Sequence, residues 1–157
     1  MEKGSLYIFF VSIFLTFLGF YLVENVFTIS PDVWSGNGNL GILIMILFSP
    51  VFVISYFFTY KLTREISTNI KVRIVIMIFC VFSCALLIFP IINYIDELII
   101  ALDGTPAEPE SKIYRFGWFN QYTNGIYFNV YTFFLSYLLA IIIGILSTIR
   151  IKRKNII

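Results

Sequence analysis

The chain has 157 residues, of which 59% are hydrophobic and only 13% charged, and its mean hydropathy is +0.91. Soluble domains carry about 25% charged residues, so this composition excludes an ordinary water-soluble fold and makes lipid the expected solvent. The net charge is +2, there is no His, and Cys80 and Cys84 are the only cysteines. The commonest metal ligand is therefore missing and no disulfide framework is expected.

At about 20 residues per crossing, a chain of this length holds roughly four spans and little else. A single membrane domain with spans at about 5–28, 40–61, 72–94 and 125–149 is expected. The first run is apolar from Ser5 to Val23 except for Ser12 and Thr16, whose hydroxyls can bond back to their own helix. It is long for a signal peptide and no A-x-A-like site follows, so it reads as an uncleaved span. Glu24 is the one acid in or beside it. The segment SPDVWSGNGN is a loop by its Pro, Gly and Asn content, with Trp34 expected at the membrane interface.

The stretch 40–60 reads LGILIMILFSPVFVISYFFTY and carries no charge. A helix of that length crosses a hydrocarbon core of about 30 Å. Pro50 predicts a kink near its middle. KLTREISTNIKVR follows without Pro or Gly, which predicts a tight turn and makes spans two and three expected antiparallel neighbours. The third run holds Cys80, Cys84 and Pro90, then continues as IDELIIAL. That pattern suits a helix leaving the membrane or lying on its face. The two cysteines share a helix side, but they lack C-x-x-C spacing and basic neighbours, so they read as small packing residues.

The segment 95–124 is the largest connection. It holds an acidic, Pro-containing turn region and then the aromatic run Tyr114, Arg115, Phe116, Trp118, Phe119 and Tyr122. Linkers in water do not carry that many large rings. Aromatics and Arg dominate protein interfaces and also anchor chains to membranes, so these six residues are the candidate partner-binding set. In the fourth run, Ala140, Gly144 and Ser147 form a small-residue face suited to close helix packing. IKRK then reads as a stop.

Charge is distributed unevenly. Lys3, Lys61, Arg64, Lys71, Arg73, Arg150, Lys152, Arg153 and Lys154 fall on one side, and only Lys112 and Arg115 on the other. Short Lys/Arg-rich loops stay in the cytoplasm, so both termini are expected inside and 95–124 outside. The basic ends should favour anionic head groups. They do not read as a nucleic-acid site, because they sit at span ends without a recognisable fold around them.

The acids Asp96, Glu97, Asp103, Glu108 and Glu110 lack the D-x-[DN]-x-[DN]-G spacing of a calcium loop. No nucleotide loop, metal-ligand cluster or nucleophile–base pair stands out, and no cofactor or metal is expected. The expected fold is an all-α integral membrane protein, a four-transmembrane-helix bundle with N-in/C-in topology and an aromatic-rich extracytoplasmic segment between helices 3 and 4. The expected function is non-enzymatic interaction in the cell membrane of a bacterium, as an accessory subunit or as a toxin or bacteriocin self-immunity protein. Partners would be the bilayer and a membrane protein or peptide, or further copies of the chain. The alternative is a small oligomeric transporter or channel-like protein using Glu24 as a membrane-embedded carboxylate, with Ser49, Ser55, Thr59, Ser83, Ser136, Ser147 and Thr148 along its path.

Overall fold

The computed structural model describes residues 3–154 apart from 37 and 68, with side chains described for 4–148. The side chains of Arg150, Lys152, Arg153 and Lys154, expected to form a basic stop, lie outside the described residues. The described residues form helices and no strands. These are α1 (Lys3–Asn25), α2 (Leu40–Ile66), α3 (Ile70–Ala101), the short α4 (Asn124–Tyr127) and α5 (Val130–Lys154). Four of them are long and apolar enough to cross a membrane, which makes the chain a multi-pass membrane protein. The longest, α3, has 32 residues and extends about 48 Å, so it tilts or runs past a core of about 30 Å. Its final turns carry the exposed Asp96 and Glu97.

Local chemistry sets the helix ends. Asn69 opens α3 by accepting the Lys71 backbone N–H at 2.9 Å, the usual service of an N-cap side chain. Asn129 opens α5 through a reciprocal pair. Its Oδ1 accepts the Thr132 backbone N–H, and the Thr132 hydroxyl accepts the Asn129 N–H, both at 2.9 Å. That cap separates α5 from α4. At the end of α3, Gly104 N–H donates to Ile99 and Asp103 N–H to Ile100, with Asp103 at φ 58°. This is a Schellman termination in which Asp takes the left-handed place usually held by Gly. The end of α2 is held by Arg73, which is buried and donates twice to the Ser67 carbonyl, at 2.9 and 3.3 Å. A cation at a helix C-terminus complements the helix dipole.

The short connection between α2 and α3 does not make them packing neighbours. α5 packs against both, while α2 and α3 share few contacts. Side-chain chemistry decides this arrangement. Gly144 is buried where α5 crosses α2, and a Cβ there would stand 2.9 Å from Thr63 Cβ and 3.1 Å from the Tyr60 carbonyl oxygen. Small residues permit such close backbone approach in membranes, where apolar burial alone supplies little drive. Two hydroxyl pairs, Ser55 with Tyr137 and Tyr56 with Ser136, join the same two helices. α1 closes the group through Phe20, whose ring meets Phe52 of α2 at 5.4 Å and Phe133 of α5 at 5.5 Å, both edge-on. Edge-to-face aromatic pairs add about 0.5–1.5 kcal/mol beyond area burial. α3 contributes little to this core; Arg73 and Cys80 are its buried residues.

Candidate functional site

The described residues of 26–39 and the segment 102–123 meet at one end of the bundle and form a cap. Its centre is a small core of Leu102, Ile113 and Tyr122, with Ile29 and Leu98 packed against it. Backbone groups bridge the two segments, for Ile29 N–H donates to the Gln121 carbonyl at 2.9 Å. The Tyr122 hydroxyl ties down the first loop. It accepts the Ser35 backbone N–H and donates to the Val33 carbonyl, each at 3.1 Å. Below it, Asn39 and Asn124 exchange paired amide hydrogen bonds of 2.8 and 2.7 Å. Asn124 is fully buried, and Gly41 leaves room for its amide, because a Cβ at that position would strike it. Ser111 braces the second segment by donating to the Gly104 carbonyl at 2.9 Å.

This architecture divides the six aromatic-run residues. Tyr122 points inward and is 3% exposed, serving the cap's own cohesion. Tyr114 is half-buried, with the Arg115 guanidinium 4.8 Å from its ring centre. Arg115 itself is exposed, at φ 65°. Phe116 is 60%, Trp118 42% and Phe119 50% exposed. Phe119 also stacks on Tyr127 at 5.0 Å and helps line a crevice of about 550 Å³ between α2 and α5. Phe116 and Trp118 form no ring pair with other described residues. A further aromatic belongs to the same cap: Trp34, 80% exposed on the loop that Tyr122 secures. In sequence its isolation in a Gly/Asn-rich loop reads as an interface anchor and separates it from the distant aromatic run.

The small-residue face is used inside the chain. Gly144 receives α2, Ser147 donates to the Gly144 carbonyl at 2.7 Å, and Ala140 is half-buried. Glu24 is half-buried in the last turn of α1. Its carboxylate lies near the backbone N–H of Val130 and within electrostatic reach of Tyr94. That places a carboxyl group at the N-terminus of α5, the helix end whose dipole favours an acid.

The hydroxyls of the alternative transport path are largely spent on their own helices. Ser49, Thr59, Ser136, Ser147 and Thr148 all donate to carbonyls three or four residues earlier. Among the described residues no group of three or more His, Cys, Asp or Glu is placed to hold a metal, and both cysteines are free. No family model, curated protein or solved structure matches this chain.

Proposed function

We propose that the protein is a non-enzymatic interaction protein of the bacterial cytoplasmic membrane, an accessory or self-immunity protein whose ordered cap engages a membrane protein or peptide. The observation that carries this reading is the division of the cap. Ile113 and Tyr122 hold it together from within, while Phe116, Trp118 and Trp34 stay exposed without serving that core. Large rings presented on an ordered support are the residue types that supply binding energy at interfaces. The cap faces outward and both termini face the cytoplasm, since Lys61, Arg64, Lys71 and Arg73 gather at the opposite end. The bacterial assignment rests on the richness in Ile, Phe and Asn.

The test is affinity purification from the native membrane in mild detergent, with bound species identified by mass spectrometry. The Phe116→Ala/Trp118→Ala chain should insert normally and lose a partner that the parent chain retains. Equal recovery of that partner by both chains would remove the cap from the interface. Trp118→Ala/Phe119→Ala should also lose it, but Phe119 packs on Tyr127, so the first pair is the cleaner probe.

A further inference from the structure

At the opposite end of the molecule, the α2–α5 crossing leads into a cavity of about 400 Å³ lined by Lys61, Arg64, Glu65 and Thr148. Three features define its chemistry. First, Lys61 and Arg64 are three residues apart on one helix, so both present their charge to the same side. Second, Arg64 is already oriented. Its guanidinium lies 5.5 Å from the centre of the Tyr60 ring, with one nitrogen 3.5 Å from the Tyr60 hydroxyl. Third, the depth is defined. The uncharged stretch 40–60 is long enough to cross about 30 Å of hydrocarbon, and Lys61 is the first charge after it. The cavity therefore lies at the level of the lipid phosphates.

We infer that this cavity is a binding site for the phosphate of a membrane phospholipid, held between Lys61 and Arg64. Guanidinium supplies a planar fork for phosphate oxygens and ammonium a mobile point charge. The Thr148 hydroxyl donates to the Ile145 carbonyl at 2.7 Å, so this residue forms wall and does not donate to the ligand. The acyl chains of such a lipid would run back along the apolar surfaces of α2 and α5, where Phe57 and Leu146 are exposed.

The experiment is native mass spectrometry of the purified full-length chain, delipidated and then titrated with phosphatidylglycerol, phosphatidylethanolamine or phosphatidylcholine. Inorganic phosphate serves as the water-soluble competitor. The parent chain should retain one phospholipid through detergent removal, and millimolar inorganic phosphate should not displace it. Lys61→Gln/Arg64→Gln should lower retention by about twenty-five-fold, about fivefold for each cation removed. Lys71→Gln removes an exposed cation outside the cavity and should leave retention unchanged. Arg64→Lys keeps the charge without the fork and should give an intermediate loss, which guards against misfolding of the double variant. Equal retention by the parent and Lys61→Gln/Arg64→Gln, or an equal loss in Lys71→Gln, would overturn the site. Displacement by inorganic phosphate would overturn the lipid as its ligand.

Discussion

Tyr122 offers a direct way to ask whether the cap is a built structure. Its hydroxyl makes two hydrogen bonds to the first loop, both 3.1 Å, and its ring sits in the Leu102–Ile113 core. Tyr122→Phe keeps the ring and removes only the oxygen. A hydrogen bond contributes about 1 kcal/mol net, so losing both weakens the clasp by about 2 kcal/mol. Local opening then rises about thirtyfold, which amide exchange reads directly. The best reporter is the Ile29 amide, which bonds to the Gln121 carbonyl at 2.9 Å and is not itself touched by the substitution. Hydrogen exchange in detergent or nanodiscs should show the Ile29 amide exchanging about thirtyfold faster in Tyr122→Phe, with the amides of α2 unchanged. Tyr127→Phe, at a residue 39% exposed, is the control and should leave the Ile29 rate alone. An unchanged Ile29 rate in Tyr122→Phe would refute the idea that this hydroxyl fastens one loop to the other.

Gly144→Leu should destabilise the α2–α5 crossing by about 1–3 kcal/mol, because the new side chain meets Thr63 and the Tyr60 carbonyl; an unchanged midpoint in a thermal unfolding assay in detergent would contradict that packing. Asn124→Ala leaves the Asn39 amide without its partner and should cost about 1–3 kcal/mol by the same assay. Phe116→Ala/Trp118→Ala, by contrast, should shift stability by less than about 0.5 kcal/mol per residue, since exposed side chains carry little of the fold. Glu24→Gln should cost no more than about 1 kcal/mol if the carboxylate serves the α5 terminus, and a proteoliposome flux abolished by that change would instead establish the transport reading.

Much of this architecture is legible in the residues, for reasons that differ by element. The four long helices follow from uncharged runs of spanning length, because burial in lipid leaves the backbone no other way to satisfy its hydrogen bonds. Asn69 announces the start of α3 by type. The order of helices is not legible from loop length. A short connection brings the ends of α2 and α3 together but does not decide which faces pack, and that choice falls to Gly144, Ser136 and Tyr137 on α5.

Gly144 is recognisable as a packing position, yet nothing in its spacing says that the approaching helix belongs to the same chain. The aromatic run reads as one block because the segment has no strand or helix period. Positive φ at Arg115 and Gly117 redirects the chain, sending Tyr122 inward and leaving Phe116 and Trp118 outside. Trp34 joins the cap through a contact between segments 87 residues apart, Ser35 with Tyr122, which no local pattern encodes.

Protein partners and lipid compete as the explanation for the exposed rings of the cap. The most direct measurement places a photo-crosslinking phenylalanine analogue at Phe116, irradiates intact native membranes and weighs the products, with the same analogue at Phe79 on the exposed flank of α3 as reference. A partner-binding cap should give a discrete protein or peptide adduct at Phe116 that is absent at Phe79. Lipid adducts at both positions, with no protein or peptide at Phe116, would contradict it and leave the cap as a membrane anchor.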